Sequence, residues 1–307
     1  MSIKFNSRKR AFLYALLALI VMTTLFYLLL GRDSSTDERS GFLNDRFTND
    51  KVAVIYITDA ITSSTAKRVI KELEDWGDDK SVKAIVLRIV TPGGVVAPSQ
   101  EIYNSVLKIK SEKPIVCSFG SVAASGGYYI ALGCDKIIAN PGTITGSIGV
   151  IMMFNTLYDL TEKIGLQPVV IKSGQFKDTG SPSRPFTEDD KDLLQSIVDD
   201  IFNQFLEAVA SGREIEIEKA RELSAGGRIY TGKQAKEANL VDALGDLATS
   251  IEIAGELGGI DGEPKVVTKR KERPSILMLL VGQDINGLIP SSLLLPTGAY
   301  FIWEAGI

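Results

Sequence analysis

The stretch Gly120-Ser-Val-Ala-Ala-Ser-Gly-Gly-Tyr-Tyr129 is the part of the chain from which its fold and chemistry are most directly inferred. It follows the apolar run Pro114–Phe119, and its small residues predict a turn from a strand into the apolar helix Gly126–Leu132. Glycine and alanine around Ser125 leave its hydroxyl without steric cover, which is typical of nucleophilic serines. The chain contains no histidine, so a nucleophilic Ser125 needs another proton acceptor.

The candidate proton acceptor is Lys177, in Lys172-Ser-Gly-Gln-Phe-Lys-Asp178. A lysine can act as a general base only when it is neutral, which requires its pKa to fall from about 10.4 toward neutrality. Burial among apolar groups lowers a lysine pKa in this way. Phe176 and the neighbouring glycine fit such a setting, provided that the Asp178 carboxylate points away. A Ser125–Lys177 dyad is therefore the predicted catalytic pair.

Acyl transfer also requires hydrogen-bond donors for the developing oxyanion. Thr91-Pro-Gly-Gly94 ends a predicted strand just before a helix, so the backbone N–H of Gly94 is one candidate donor. The N–H of Gly126, directly after the proposed nucleophile, is the second. Ser147, in Thr143-Ile-Thr-Gly-Ser-Ile-Gly149, is positioned in the sequence to orient the lysine amine.

Short apolar runs alternate with helical patterns from Lys51 onward, which predicts an α/β fold with a largely parallel sheet. The predicted strands are residues 52–57, 84–90, 114–119, 136–139, 148–152 and 168–171. The predicted helices are residues 64–76, 99–110, 126–132, 156–164 and 187–210.

Residues 11–30 form an uncharged apolar run of twenty residues, the length that spans a bilayer core of about 30 Å. Four basic residues precede the run within residues 1–10, whereas only Arg32 follows it closely. This asymmetry predicts a single-pass inner-membrane anchor with a cytoplasmic N-terminus and an extracytoplasmic catalytic domain. The alternative is a cleaved signal peptide, but Leu28-Leu-Leu-Gly-Arg32 is a poor cleavage site. The polar residues 31–50 are predicted to be a flexible linker.

Six phrases of the sequence together resemble the signal peptide peptidase A family, peptidase family S49. The resemblance covers roughly Val52 to Gly245 and implies a membrane-anchored serine endopeptidase of the short form, with a ClpP/crotonase-like fold of repeated β-β-α units. It assigns Ser125 as nucleophile, Lys177 as general base, Ser147 as the residue that orients the lysine, and Gly94 as an oxyanion donor. Two positions depart from the pattern: Val90 replaces a polar residue and Val95 replaces a third glycine. The phrases are 91–94, 120–129, 145–150, 172–178, 181–184 and 227–235, with 239–242 following.

The same resemblance implies a ring-like homo-oligomer in which Lys177 of one subunit can serve Ser125 of its neighbour. It implies substrates such as remnant signal peptides and other unstructured hydrophobic peptides. The peptidase domain is placed at residues 51–262. Residues 263–307 form a tail whose apolar runs, 275–281 and 288–295, either pack on the domain or a neighbouring subunit or contact lipid.

Composition excludes several other functions. The net charge of −4 offers no basic surface for nucleic acid. Two cysteines without histidine leave no metal site of the Cys/His kinds, and no cofactor is expected. Cys117 and Cys134 are expected to be small buried side chains, with a disulfide possible outside the cytoplasm.

Two rival functions stay open: a crotonase-like enzyme acting on acyl thioesters, and a catalytically silent peptide-binding scaffold.

Overall fold

The computed structural model describes residues 50–269 and 299–302. The predicted basic tail, the anchor at residues 11–30, almost all of the linker and the apolar runs 275–281 and 288–295 lie outside the described residues. Within the described part of the chain, no helix combines the length and the hydropathy needed to cross a bilayer.

A mainly parallel sheet forms the centre of the molecule, with strand order β10-β1-β2-β4-β5-β9. Strand β6 pairs in parallel with the end of β4, and β8 pairs antiparallel with β6. The predicted α/β architecture is thereby confirmed. The strands are β1 Lys51–Thr58, β2 Val82–Thr91, β3 Gly93–Val95, β4 Ile115–Ala124, β5 Lys136–Ala139, β6 Ile144–Gly146, β7 Ile151–Met152, β8 Ile229–Thr231, β9 Ala243–Leu244, β10 Lys265–Val267 and β11 Ala299–Ile302.

Helices cover both faces of this sheet, which explains why its strands are apolar almost without interruption. Ile55 and Leu87 pack into the larger core, beneath α1 to α3, whereas Val54 and Val86 face a smaller core beneath α8. The helices are α1 Ser63–Asp78, α2 Val96–Lys110, α3 Gly126–Ala131, α4 Tyr158–Lys163, α5 Glu188–Arg213, α6 Ile217–Ser224, α7 Gly232–Glu237 and α8 Leu247–Leu257, with short 3₁₀ turns at Gln175–Asp178 and Ala225–Gly227.

Individual residues determine where helix α1 begins and ends. The side chain of Thr62 accepts a hydrogen bond from the backbone N–H of Thr65 and so caps the N-terminus. At the other end, the buried ammonium of Lys113 donates to the carbonyl oxygens of Trp76, Gly77 and Asp79. Burial lowers the pKa of Lys113, but these three acceptors satisfy the donors that it carries into the interior.

Two local predictions were wrong. Strand β4 continues to Ala124, so Gly120–Ala124 is strand rather than turn, and only Ser125 makes the change of direction. Residues 168–171 form no strand, and Val169 and Ile171 are 87% and 97% exposed. Their apolar composition suits a buried strand, but no strand of the described residues pairs with them, so composition alone misled the prediction.

A second, three-stranded antiparallel sheet has the order β3-β11-β7. Its central strand, β11, comes from the C-terminal end of the described chain, whereas its outer strands lie near the middle. The pairing of segments so distant in sequence leaves no local signal, and the sheet was not predicted.

Cys117 and Cys134 are both buried and are joined by a disulfide, with 6.1 Å between their Cα atoms. The expectation of burial is confirmed, and the disulfide that the sequence left open is present in the structure. The bond links β4 to the residues that follow α3, so it holds together the two elements on either side of Ser125.

Candidate active site

Ser125 occupies the single residue between β4 and α3, where the chain turns sharply. Its backbone has φ 51° and ψ −113°, a region that residues other than glycine rarely adopt and that costs about 1–3 kcal/mol. The backbone N–H of Ser125 donates to the carbonyl oxygen of Gly146 at 2.8 Å, which holds the turn against β6. Strain of this kind, maintained by neighbouring strands, is typical of residues at functional sites.

Ser147 lies beside Ser125 because of the register of two parallel strands. Ala124 at the end of β4 is paired with Gly146 at the end of β6, so the next residue of each strand reaches the same sheet edge. Neighbouring strands lie about 4.8 Å apart. Ser147 also has a positive φ, 51°, and its N–H donates to the carbonyl oxygen of Arg228. The structure therefore brings Ser125 and Ser147 together at adjacent, buried positions.

The two predicted oxyanion donors, Gly94 and Gly126, also converge at this edge. A Cβ placed on Gly126 would lie 3.3 Å from the backbone nitrogen of Gly94. A Cβ on Gly94 would instead collide with the backbone of Ile61, with which Gly94 forms a parallel bridge. Glycine is thus required at position 94 by close backbone approach, not only by the turn.

Thr91 holds the Gly94 loop in place, a role that sequence reasoning missed. Its buried hydroxyl donates to the carbonyl oxygen of Asp59 and accepts from the N–H of Gly93 at 3.1 Å. These bonds tie the end of β2 to the chain after β1. A threonine before Pro-Gly-Gly gives no sequence signal of this role, because the partner beyond β1 is 32 residues away.

Lys177 is not placed next to Ser125. The Ser125 hydroxyl oxygen is buried and has no hydrogen-bond partner among the described residues. Lys177 lies in the 3₁₀ turn Gln175–Asp178 and is exposed. Within one chain, the structure brings together four of the five predicted site residues and leaves the predicted base apart from them.

Charged side chains brace the loop that carries Lys177. The carboxylate of Asp178 accepts from Lys172 at 2.7 Å and from Arg184 at 2.9 Å. Hydrogen bonds from Arg184 and Lys172 lower the pKa of Asp178 to about 2. Arg184 also binds Asp190, whose pKa is lowered by Arg184, Thr179 and Thr187. Among the described residues, Lys177 itself has no carboxylate partner.

A cluster of aromatic rings adjoins the site on the side of α3. The ring of Phe301, from β11, stacks on Tyr129 with centroids 5.0 Å apart and lies 4.7 Å from the ring of Phe205. Tyr103, on α2, meets Tyr129 edge to face at 5.0 Å. Residues from α2, α3, α5 and β11 thus form a packed aromatic cluster beside the strand end that presents Ser125.

The fold and the site define the class of protein. A strained, buried serine at the end of a parallel strand, with the backbone of two glycines close beside it, is the arrangement expected of a serine peptidase.

Comparison with known proteins identifies the family. The model described as Peptidase family S49 matches residues 108–261, and that described as Clp protease matches residues 38–143. A Synechocystis sp. protein named "Putative protease" is 43% identical over 77% of this chain and 85% of its own length. "Putative signal peptide peptidase SppA" of Enterococcus faecium is 41% identical over 57% of this chain and 51% of its own. "Serine protease SPPA, chloroplastic" of Arabidopsis thaliana is 34% identical over 68% and 31%. The chain belongs to peptidase family S49, the signal peptide peptidase A family, and has a Clp protease-like α/β fold.

Proposed function

We propose that this protein is a membrane-anchored serine endopeptidase whose catalytic dyad, Ser125 and Lys177, is completed between neighbouring subunits. The observation that carries the proposal is the buried Ser125 hydroxyl, which has no hydrogen-bond partner among the described residues. A buried polar group without a partner costs about 1–3 kcal/mol. An amine supplied from outside the chain would satisfy it and would also activate it.

The proposed reaction uses each of these groups in turn. The neutral amine of Lys177 takes the proton of the Ser125 hydroxyl, and the oxygen attacks the carbonyl carbon of the substrate. The N–H groups of Gly94 and Gly126 stabilise the oxyanion. The ammonium then gives its proton to the leaving amine, and water hydrolyses the acyl-enzyme in a second cycle. Ser147, beside Ser125, is within reach to hold the amine in line.

The segment that carries Lys177 has the composition of a subunit interface. Between residues 151 and 176, ten large apolar side chains are exposed, including Ile164 at 68% and Ile171 at 97%. So many exposed apolar side chains in one segment are unusual on a monomer and favour a partner. A second copy of this chain would bury the segment and would carry Lys177 into a drier setting. A head-to-tail contact repeated in this way closes into a ring.

The proposed substrates are remnant signal peptides and other unstructured hydrophobic peptides. The aromatic cluster that contains Tyr103, Tyr129 and Phe205 provides apolar surface next to Ser125, which supports a substrate with an apolar side chain near the scissile bond. The Cys117–Cys134 disulfide supports a catalytic domain outside the cytoplasm, where such bonds persist. Anchoring through residues 11–30 would keep the enzyme near these fragments.

Mixing two inactive variants of the full chain tests the shared dyad. Ser125→Ala and Lys177→Ala should each be inactive on a fluorogenic signal-peptide substrate in detergent. Co-assembled in equal amounts, they should regain roughly a quarter of wild-type activity, the fraction of interfaces that pair an intact serine with an intact lysine. Lys163→Ala, which changes another exposed lysine of the same segment, is the control and should stay active.

Three outcomes would count against the proposal. Activity in either single variant would refute the dyad. Inactive mixtures, with both variants shown to share rings, would refute the cross-subunit arrangement. A folded, oligomeric wild type that hydrolysed no peptide would favour a silent binding scaffold.

A further inference from the structure

The proposed general base, Lys177, is followed directly in the chain by an acidic residue, Asp178. A carboxylate beside an amine favours the protonated form of that amine, and the protonated form cannot accept a proton from a serine. An unengaged Asp178 would therefore oppose the role proposed for Lys177. The contacts of the Asp178 carboxylate thus bear directly on whether Lys177 can act as a base.

Two cations bind the Asp178 carboxylate. The ammonium of Lys172 donates to its Oδ1 atom at 2.7 Å, and the guanidinium of Arg184 donates to the same oxygen at 2.9 Å. The Asp178 side chain is only 12% exposed, so both contacts are partly shielded from solvent. Hydrogen bonds from Arg184 and then Lys172 lower the pKa of Asp178 to about 2. Within residues 50–269 and 299–302, no carboxylate forms an ion pair with Lys177.

Lys172 also fixes the turn that carries the base. Its ammonium donates to the carbonyl oxygen of Gln175 at 2.9 Å as well as to Asp178. Gln175 and Asp178 are the two ends of the 3₁₀ turn that contains Lys177, so one ammonium group spans that turn. The side-chain amide of Gln175 donates to Asp189 at 2.7 Å, which fastens the turn to the start of α5.

Arg184 connects Asp178 to the N-terminus of α5. Its guanidinium donates to both carboxylate oxygens of Asp190, whose side chain is 2% exposed. Asp190 also accepts hydrogen bonds from the hydroxyl groups of Thr179 and Thr187, so the helix end itself holds this anchor in place. A planar guanidinium that is fixed in this way is pre-organised to bind a second carboxylate. The charged side chains around the turn are therefore two cations and three carboxylates: Lys172, Arg184, Asp178, Asp189 and Asp190.

We propose that Arg184 is a positioning residue for the general base: it engages the Asp178 carboxylate and so keeps that carboxylate from pairing with the Lys177 amine. Lys172 assists by binding the same oxygen. The inference rests on the proposed role of Lys177. Arg184 takes no part in the proton transfers, and it acts only through the charge of its neighbour. Without Arg184, the surroundings of Lys177 gain one net negative charge, so less of the neutral amine is present at neutral pH.

The pH dependence of kcat/KM tests this role, measured on the fluorogenic signal-peptide substrate with the full chain in detergent. In the wild type, kcat/KM should rise through the pKa of the base. Arg184→Met should move the midpoint of this rise upward by about one pH unit. Activity at neutral pH should then fall about tenfold and should recover as the pH is raised. Structural damage alone would lower the whole profile without moving its midpoint.

Further variants separate the charge from the fold. Arg184→Lys keeps the charge but not the guanidinium geometry, and it should keep the wild-type midpoint. Adding Asp178→Asn to Arg184→Met removes the carboxylate that has lost its partner, and it should return the midpoint toward the wild-type value. Lys172→Met should raise the midpoint as Arg184→Met does, and it decides the test if Arg184→Met does not fold. Lys191→Met is the matched control, because Lys191 lies near the start of α5 but pairs with Glu188, and its profile should match the wild type.

The outcomes distinguish this inference from the proposed function. If Lys177→Ala is inactive but Arg184→Met and Lys172→Met both keep the wild-type midpoint, the inference is overturned and the proposed function stands. A raised midpoint that Asp178→Asn does not reverse would also overturn the inference, because the shift would not come from that carboxylate. An active Lys177→Ala enzyme would refute the proposed function, and the inference with it.

Discussion

Replacing Gly126 by alanine should abolish catalysis while leaving the fold intact. Gly126 is the first residue of α3 and has no positive φ, so its backbone accepts a side chain. Alanine is the better helix former, by about 0.5–1 kcal/mol. The added methyl, however, would lie 2.8 Å from the Ser99 hydroxyl oxygen and 3.1 Å from the Phe301 carbonyl oxygen. Both distances are shorter than ordinary van der Waals contact, and the methyl would also lie 3.3 Å from the nitrogen of Gly94, the other proposed oxyanion donor.

The expected loss of activity can be worked out from the displacement of the oxyanion away from one of its two donors. Losing one such hydrogen bond lowers kcat by about 10²–10³-fold, or about 3–4 kcal/mol of transition-state stabilisation. Because the bond forms mainly in the transition state, kcat and kcat/KM should fall together. The free energy of unfolding should change by less than about 1 kcal/mol, since the helix gain offsets part of the crowding.

The assay is steady-state hydrolysis of a fluorogenic peptide, with urea unfolding measured on the same preparations. Gly142→Ala is the control, because its Cβ would meet nothing within 4 Å. The double variant Ser99→Ala/Gly126→Ala removes the closest clash but keeps the methyl at the oxyanion site, so it should stay inactive. A Gly126→Ala enzyme within about threefold of wild type in kcat would refute the assignment of this donor, and recovery in the double variant would assign the loss to Ser99.

Three further predictions concern stability. The Ser125→Gly and Ser125→Ala proteins should both be inactive, but the glycine variant should be about 1 kcal/mol more stable in urea because it relieves the positive φ; equal stabilities would show that Ser125 is not strained. Lys113→Met should lower the free energy of unfolding by about 2 kcal/mol, since three carbonyl groups at the end of α1 lose their donor; an unchanged urea midpoint would contradict this role. The two carboxylates paired with Arg184 have lowered pKa values, about 2 for Asp178 and further below the usual range for Asp190. The stability that these ion pairs add to the folded protein is therefore complete above about pH 4 and is lost as the pH falls toward 2. The thermal midpoint should therefore fall more steeply between pH 4 and pH 2 in the wild type than in Arg184→Met, and parallel curves would argue against the network.

Local sequence was sufficient to single out the residues that the structure brings together at one end of the sheet. Ser125, Gly94, Gly126 and Ser147 each follow or end a short apolar run at a glycine-rich turn, and parallel strands bring such turns to one edge of a sheet. The absence of histidine, a property of composition alone, narrowed the choice of base to lysine. Apolar periodicity likewise predicted the central strands and most long helices, because each of those elements buries its own pattern in a common core.

Contacts between distant segments could be decided only by the tertiary structure. No local pattern links Thr91 to Asp59, or β11 to β3 and β7, because these pairings depend on how the whole chain returns to the same edge. The exposed residues 168–171 resemble a strand, yet no strand in the described part of the chain pairs with them. The surroundings of the Ser125 hydroxyl likewise could not be read from local sequence. The residue type predicts a nucleophile, but only the three-dimensional structure shows which groups can reach that hydroxyl. Local sequence specifies which side chains are present and which turns can form. The closing of long loops determines which of these side chains and turns come into contact.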